Sequence, residues 1–123
     1  MADDRVRERL LQVVWKEIRS TDERNILNVP AARRAIDAGA SPADLARAMT
    51  AASYETAFRL LFLLSAEHAE EGDDKAQTGW TIIETSFDDS DEPTPDTGSV
   101  LEFLHEDLLS SDPTGAEGQD LFA

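Results

Sequence analysis

The residues with the most chemical potential lie near the end of the chain, in LHEDLLSSDPTGAEGQD at 104–120. One histidine, five acidic residues and two glycines share those seventeen positions. His105 followed by Glu106 matches the start of a zinc-protease helix motif, but the second histidine that motif needs falls at Leu109. The one other histidine is His68, so the available metal set is His68, His105 and a carboxylate such as Glu106, suited to zinc or iron. It defines one alternative, a small metal-dependent enzyme or metal sensor, which no spacing supports. The run Asp88-Asp89-Ser90-Asp91-Glu92 invites calcium. An EF-hand loop counted from Asp88, however, requires Gly and Glu where Pro93 and Ser99 stand. There is no G-x-S-x-G elbow, no Walker lysine and no G-x-G-x-x-G. With no cysteine, thiol nucleophiles, disulfides and iron–sulfur ligation are excluded. No catalytic residue, metal ligand or cofactor is assigned on these grounds.

Charge is the stronger signal. Residues 1–66 carry ten Lys/Arg against nine Asp/Glu, whereas residues 67–123 carry Lys75 against seventeen acids, within a net charge of −15. Uniform salt adaptation would acidify both halves. A nucleic acid or an acidic membrane face is repelled by the second half, and a basic protein is steered toward it. Trp80, Phe87 and Phe103 are the candidate exposed apolar anchors that would supply affinity beside the charge of Asp88, Asp89, Asp91 and Glu92.

These groups need a frame, and 123 residues suit one domain. The recurrence of Val6, Leu10, Val14 and Ile18, widened by Leu11, Val13 and Trp15, predicts an amphipathic helix over 3–19. Residues 26–29 read as a short helical turn. Pro30 opens a second helix that Gly39 ends, and Ser41-Pro42-Ala43-Asp44 caps a third running to about Glu70 or Glu71. GWTIIET at 79–85 reads as a strand, with residues 26–29, residues just before 100, or a second subunit as pairing partners. SFDDSDEPTPDTGS at 86–99 has the composition of an exposed, flexible acidic linker. Ser99-Val100-Leu101-Glu102 reads as a capping box opening a helix to about Leu109, and Asp112-Pro113-Thr114-Gly115 as a type I turn. The last residues form a tail pinned by Leu121 and Phe122. No signal peptide or membrane span is recognisable, which suggests a cytoplasmic protein.

From Ala31 to Gly118 the chain resembles a family of short uncharacterised bacterial proteins. The resemblance rests on AIDAGASPADLARAM, YETAFRLLFLL, WTIIE and LHEDLLSSDPTG in the same order and spacing. It implies a helical core and no activity. The family pattern often approaches the Leu-His-Glu segment through glycines, where Glu102-Phe103 stands here.

The expectation is therefore a mainly α domain of three to four helices with one short β element, with α+β as the alternative class. It is divided as a helical core with a short strand over 1–85, the linker over 86–99, and a short helix, turn and tail over 100–123. Functionally the pattern points to a non-catalytic acidic module. It would bind a basic protein in the manner of an immunity or antitoxin protein, using Trp80, Phe87, Asp88, Asp89, Asp91, Glu92 and Phe103. A structural homodimer pairing through residues 80–85 is the other alternative.

Overall fold

The computed structural model describes residues 5–65, 80–94 and 98–122. The protein is a small, mainly helical domain. In chain order it forms α1 (Arg5–Ile18), a 3₁₀ turn (Asn25–Asn28), α2 (Pro30–Asp37), α3 (Pro42–Leu63), 3₁₀ turns at Leu104–Asp107 and Leu109–Ser111, and the short α4 (Gln119–Phe122).

Local signals set the helix starts. Ser41 is extended, its Oγ accepts from the Asp44 N–H at 3.2 Å, and Pro42 takes the first turn, where no intrahelical donor is needed. Gly39, with φ +110°, follows α2 in a conformation that side chains avoid. The turn at Asp112–Gly115 closes through Gly115 N–H to Asp112 O at 2.9 Å.

Several expected boundaries are corrected. α3 stops at Leu63 instead of reaching Glu70 or Glu71. The Leu63 carbonyl accepts from the Trp80 indole N–H at 2.8 Å, a partner that a continued helix would have supplied from its own backbone. Residues 79–85 form no extended strand among the described residues. They contribute one antiparallel bridge, Ile83 to Val100, held by Glu84 N–H to Ser99 O (3.0 Å) and Leu101 N–H to Ile82 O (2.7 Å). That pairing takes Val100 out of the expected capping-box helix. Phe103 then turns left-handed (φ 55°), so of the expected helix only the 3₁₀ turns at Leu104–Asp107 and Leu109–Ser111 remain.

The core lies between α1, α3 and the C-terminal segment. Leu11, Trp15 and Ile18 of α1 meet Tyr54 and Leu61 of α3 and Leu104, Leu108 and Leu121 from the end of the chain. Trp15 stacks on Tyr54 with ring centroids 5.7 Å apart, and its indole N–H donates to Leu108 O at 2.6 Å. The buried stripe of α1 is thus Leu11, Trp15 and Ile18, rotated from the 6-10-14-18 row, whose Val6 is exposed. The i+4 row Arg7, Leu11, Trp15, Arg19 explains the rotation: it sets two apolar residues between two arginines that both reach the C-terminal segment. A second, smaller core joins Ile26, Ala32 and Ala46 and anchors α2.

Candidate functional site

Two arginine clamps fix the C-terminal segment before any site can form on it. Arg7 donates to the carbonyls of Glu102 (2.7 Å) and Phe103 (3.0 Å) and pairs with Asp107 at 2.7 Å. Arg19 pairs with Asp112 at 2.8 Å and with Asp120 at 2.9 Å, and its guanidinium carbon stands 5.0 Å above the Trp15 ring. Its hydrogen bond to Asp120 leads the effects that raise its pKa, against partial desolvation. Burial pushes the Asp112 carboxyl upward, but hydrogen bonds from Arg19 and Thr114 outweigh it and hold the group below the usual aspartate range. The bond from Arg19 likewise lowers Asp120.

On this base stands a short ribbon made of two isolated antiparallel bridges. At the Ile83–Val100 bridge the flanking residues Ile82 and Leu101 pack against the core, so the period-two alternation of extended chain turns Ile83 and Val100 to solvent. A second bridge joins Phe87 to Pro93. Its turn is closed by Asp88 N–H to Glu92 O and Asp91 N–H to Asp88 O, each at 3.0 Å. The Asp88 carboxylate accepts from the backbone N–H of Ser90 (2.8 Å) and Glu92 (3.0 Å). This is the side-chain turn geometry that aspartate favours. Phe87 is 63% exposed at this turn, and Asp88, Asp89, Asp91 and Glu92 around it are all exposed.

The structure separates the sequence-predicted anchors. Phe87 and the four carboxylates share the ribbon turn. Trp80 caps the end of α3 with one edge of its ring while half of it stays exposed. Phe103 is not an exposed anchor: it is half-buried and packs on His105 at a centroid distance of 6.4 Å. His105 also meets Phe58 and Phe62 edge-to-face at 5.4 and 5.0 Å, and its Nδ1 is buried without a hydrogen-bond partner. Glu106 is exposed, and His68 lies outside the described residues. No three histidine, aspartate or glutamate side chains among the described residues come together to hold a metal ion. No helix among them is long and apolar enough to cross a membrane.

Sequence reasoning missed three features. The exposed Ile83–Val100 pair was hidden inside one segment read as strand and another read as helix. The arginine clamps join residues about a hundred positions apart, and only their i+4 placement beside Leu11 and Trp15 gives them away. The third is a groove of about 660 Å³ between α1 and α3, lined by Val13, Val14, Ile18, Ala57, Leu60 and Leu64 among others.

What fold and site define is a small helical domain carrying an acidic, aromatic-tipped ribbon. Comparison of the chain with protein-family models, with curated proteins and with solved structures gave no match.

Proposed function

We propose that the protein is a non-catalytic binding module that docks a basic protein on its ribbon, acting in the cytoplasm as an immunity- or antitoxin-type inhibitor does. The observation that carries this reading is Phe87, 63% exposed on a hydrogen-bonded turn among four exposed carboxylates. An apolar centre ringed by charge of one sign is the arrangement of an interface hot spot with a steering rim. Ile83 and Val100, at the neighbouring bridge, are two further exposed apolar residues. Holding the turn in advance lowers the ordering entropy that a solvated linker would lose on binding. The charge asymmetry of the whole chain acts in the same direction at longer range.

The test is capture from host lysate with full-length protein, beside Phe87→Ala and a triple variant of Asp89→Lys, Asp91→Lys and Glu92→Lys. Asp88 is left intact because its carboxylate holds the turn. One basic protein should be retained at low salt and lost at moderate salt. The alanine variant should bind it roughly ten- to a hundredfold more weakly. The triple variant should mainly slow association. Retention that neither salt nor the variants disturb, or no partner under any condition, sinks the reading.

A further inference from the structure

α1 and α3 pack side by side and bury opposite edges unequally. Their one face is covered by the C-terminal segment, through Leu104, Leu108 and Leu121. Their other face is the open groove of about 660 Å³, where Val13 and Leu60 are 52% and 55% exposed and Leu64 is exposed beside them. We propose that this face is the contact surface of a homodimer, in which α1 and α3 of two copies close into an antiparallel four-helix bundle.

Three observations favour a second copy as the occupant. First, residues 66–79, AEHAEEGDDKAQTG, which follow Leu64 and Ser65 in the chain, hold no apolar residue larger than alanine and so offer the groove no anchor. Second, the exposed row of α1 that carries the groove residues Val13 and Glu17, with Arg9 one turn before them, is self-complementary. Arg9, Val13 and Glu17 are exposed and follow one another at four-residue intervals along α1. A two-fold axis through Val13 sets Arg9 against the second copy's Glu17, and Glu17 against its Arg9, as an isologous interface requires. Neither side chain has an ion-pair partner among the described residues. Third, the groove lies on the half of the chain whose charge is nearly balanced, ten basic residues against nine acidic over 1–66. A strongly basic partner therefore has little to recognise there, and another copy meets no local repulsion. An apolar face between paired helices, spaced for side-chain interdigitation, is the ordinary geometry of such bundles.

This surface is separate from the ribbon, and salt distinguishes the two. Binding of a basic partner weakens with salt. Association of two chains of net charge −15 tightens, because screening relieves the repulsion between their acidic halves.

The experiment is sedimentation equilibrium of the full chain up to about 100 μM, at roughly 0.05 M and 0.5 M salt. The expected mass is twice 13.5 kDa, with the dimer favoured at the higher salt. Val13→Glu should return the mass to that of a monomer. Arg9→Glu and Glu17→Arg should each weaken the dimer roughly tenfold, since each creates two like-charge contacts across the axis, and the double variant should restore it. Both reversals also suit the α1 dipole, so loss of folding does not explain a loss of dimer. A monomeric mass throughout, or a double variant no tighter than the single ones, overturns the proposal.

Discussion

Arg19 and Asp112 lie 93 residues apart in the chain and 2.8 Å apart in space, and the aspartate side chain is wholly enclosed. A carboxylate in that position depends on its partner: removing the arginine leaves a buried charge, which costs about 3–5 kcal/mol. Arg19→Ala should therefore lower stability by about 3 kcal/mol. For a domain of this length that is a fall in Tm of about 10 °C. Arg19→Lys should recover only part, because lysine cannot bridge Asp112 and Asp120 while stacking on Trp15. Thermal unfolding followed by circular dichroism measures both. A shift of about 1 °C for the alanine variant would reduce the pair to the rank of a surface contact.

The same clamp sets a dependence on acid. Asp112 and Asp120 are held below the ordinary aspartate value in the folded chain. Their contribution to stability is therefore fully present above the unfolded value of about 3.9 and is lost as pH falls through the lower folded values. Tm should be flat in this respect above about pH 5 and drop below about pH 4. Asp112→Asn should be less stable at neutral pH and show a shallower acid limb. An acid limb as steep in Asp112→Asn as in the parent would place the linkage on other carboxylates.

The two tryptophans should report separately. Trp15 is fully buried and donates to Leu108 O at 2.6 Å, whereas Trp80 is half exposed and donates to Leu63 O. Trp80→Phe should leave a blue-shifted emission that moves red only on global unfolding, at a cost of about 1 kcal/mol for the lost cap. Trp15→Phe leaves the Leu108 carbonyl unpaired in the core as well as a void, and should cost about 2–4 kcal/mol. Equal losses in the two variants would contradict the burial seen here.

What could be read from the sequence was local. The cap at Ser41-Pro42, the stop at Gly39 and the turn at Asp112–Gly115 depend on residues within four positions of one another, and each is found where its residues stand. The mainly helical class follows from the same periodic segments. The failures are places where a distant partner outcompetes a local preference. Ser99-Val100-Leu101-Glu102 has capping-box residues, yet Ile83 engages Val100 first. Glu67–Glu71 continue a good helical pattern, yet α3 has already ended where Trp80 takes the Leu63 carbonyl. Of the candidate site, the acidic run and Phe87 were legible as composition. That they share a closed turn was not, because the turn is made by backbone groups and the Asp88 carboxylate in a stretch with the composition of a linker.

Gly98 offers a way to separate the shape of the ribbon from its surface chemistry. A Cβ at this position would overlap the Glu84 carbonyl oxygen and stand 2.9 Å from its carbon, both of them backbone atoms. Relief requires the two bridged segments to part, which breaks the Glu84 N–H to Ser99 O bond beside the Ile83–Val100 bridge. Gly98→Ala should therefore displace Ile83, Val100 and the Phe87 turn together. Because Ile82 and Leu101 already carry the packing of this ribbon on the core and neither is replaced, the global cost should stay near 1–2 kcal/mol. Phe87→Ala, at a residue 63% exposed, should leave Tm within about 1 °C while weakening partner binding. The two variants thus bracket the site: one should lose affinity with its stability intact, the other should lose affinity along with amide-exchange protection at Glu84 and Leu101. If Gly98→Ala keeps both that protection and full binding, the close approach of Gly98 to Glu84 does not shape the docking surface.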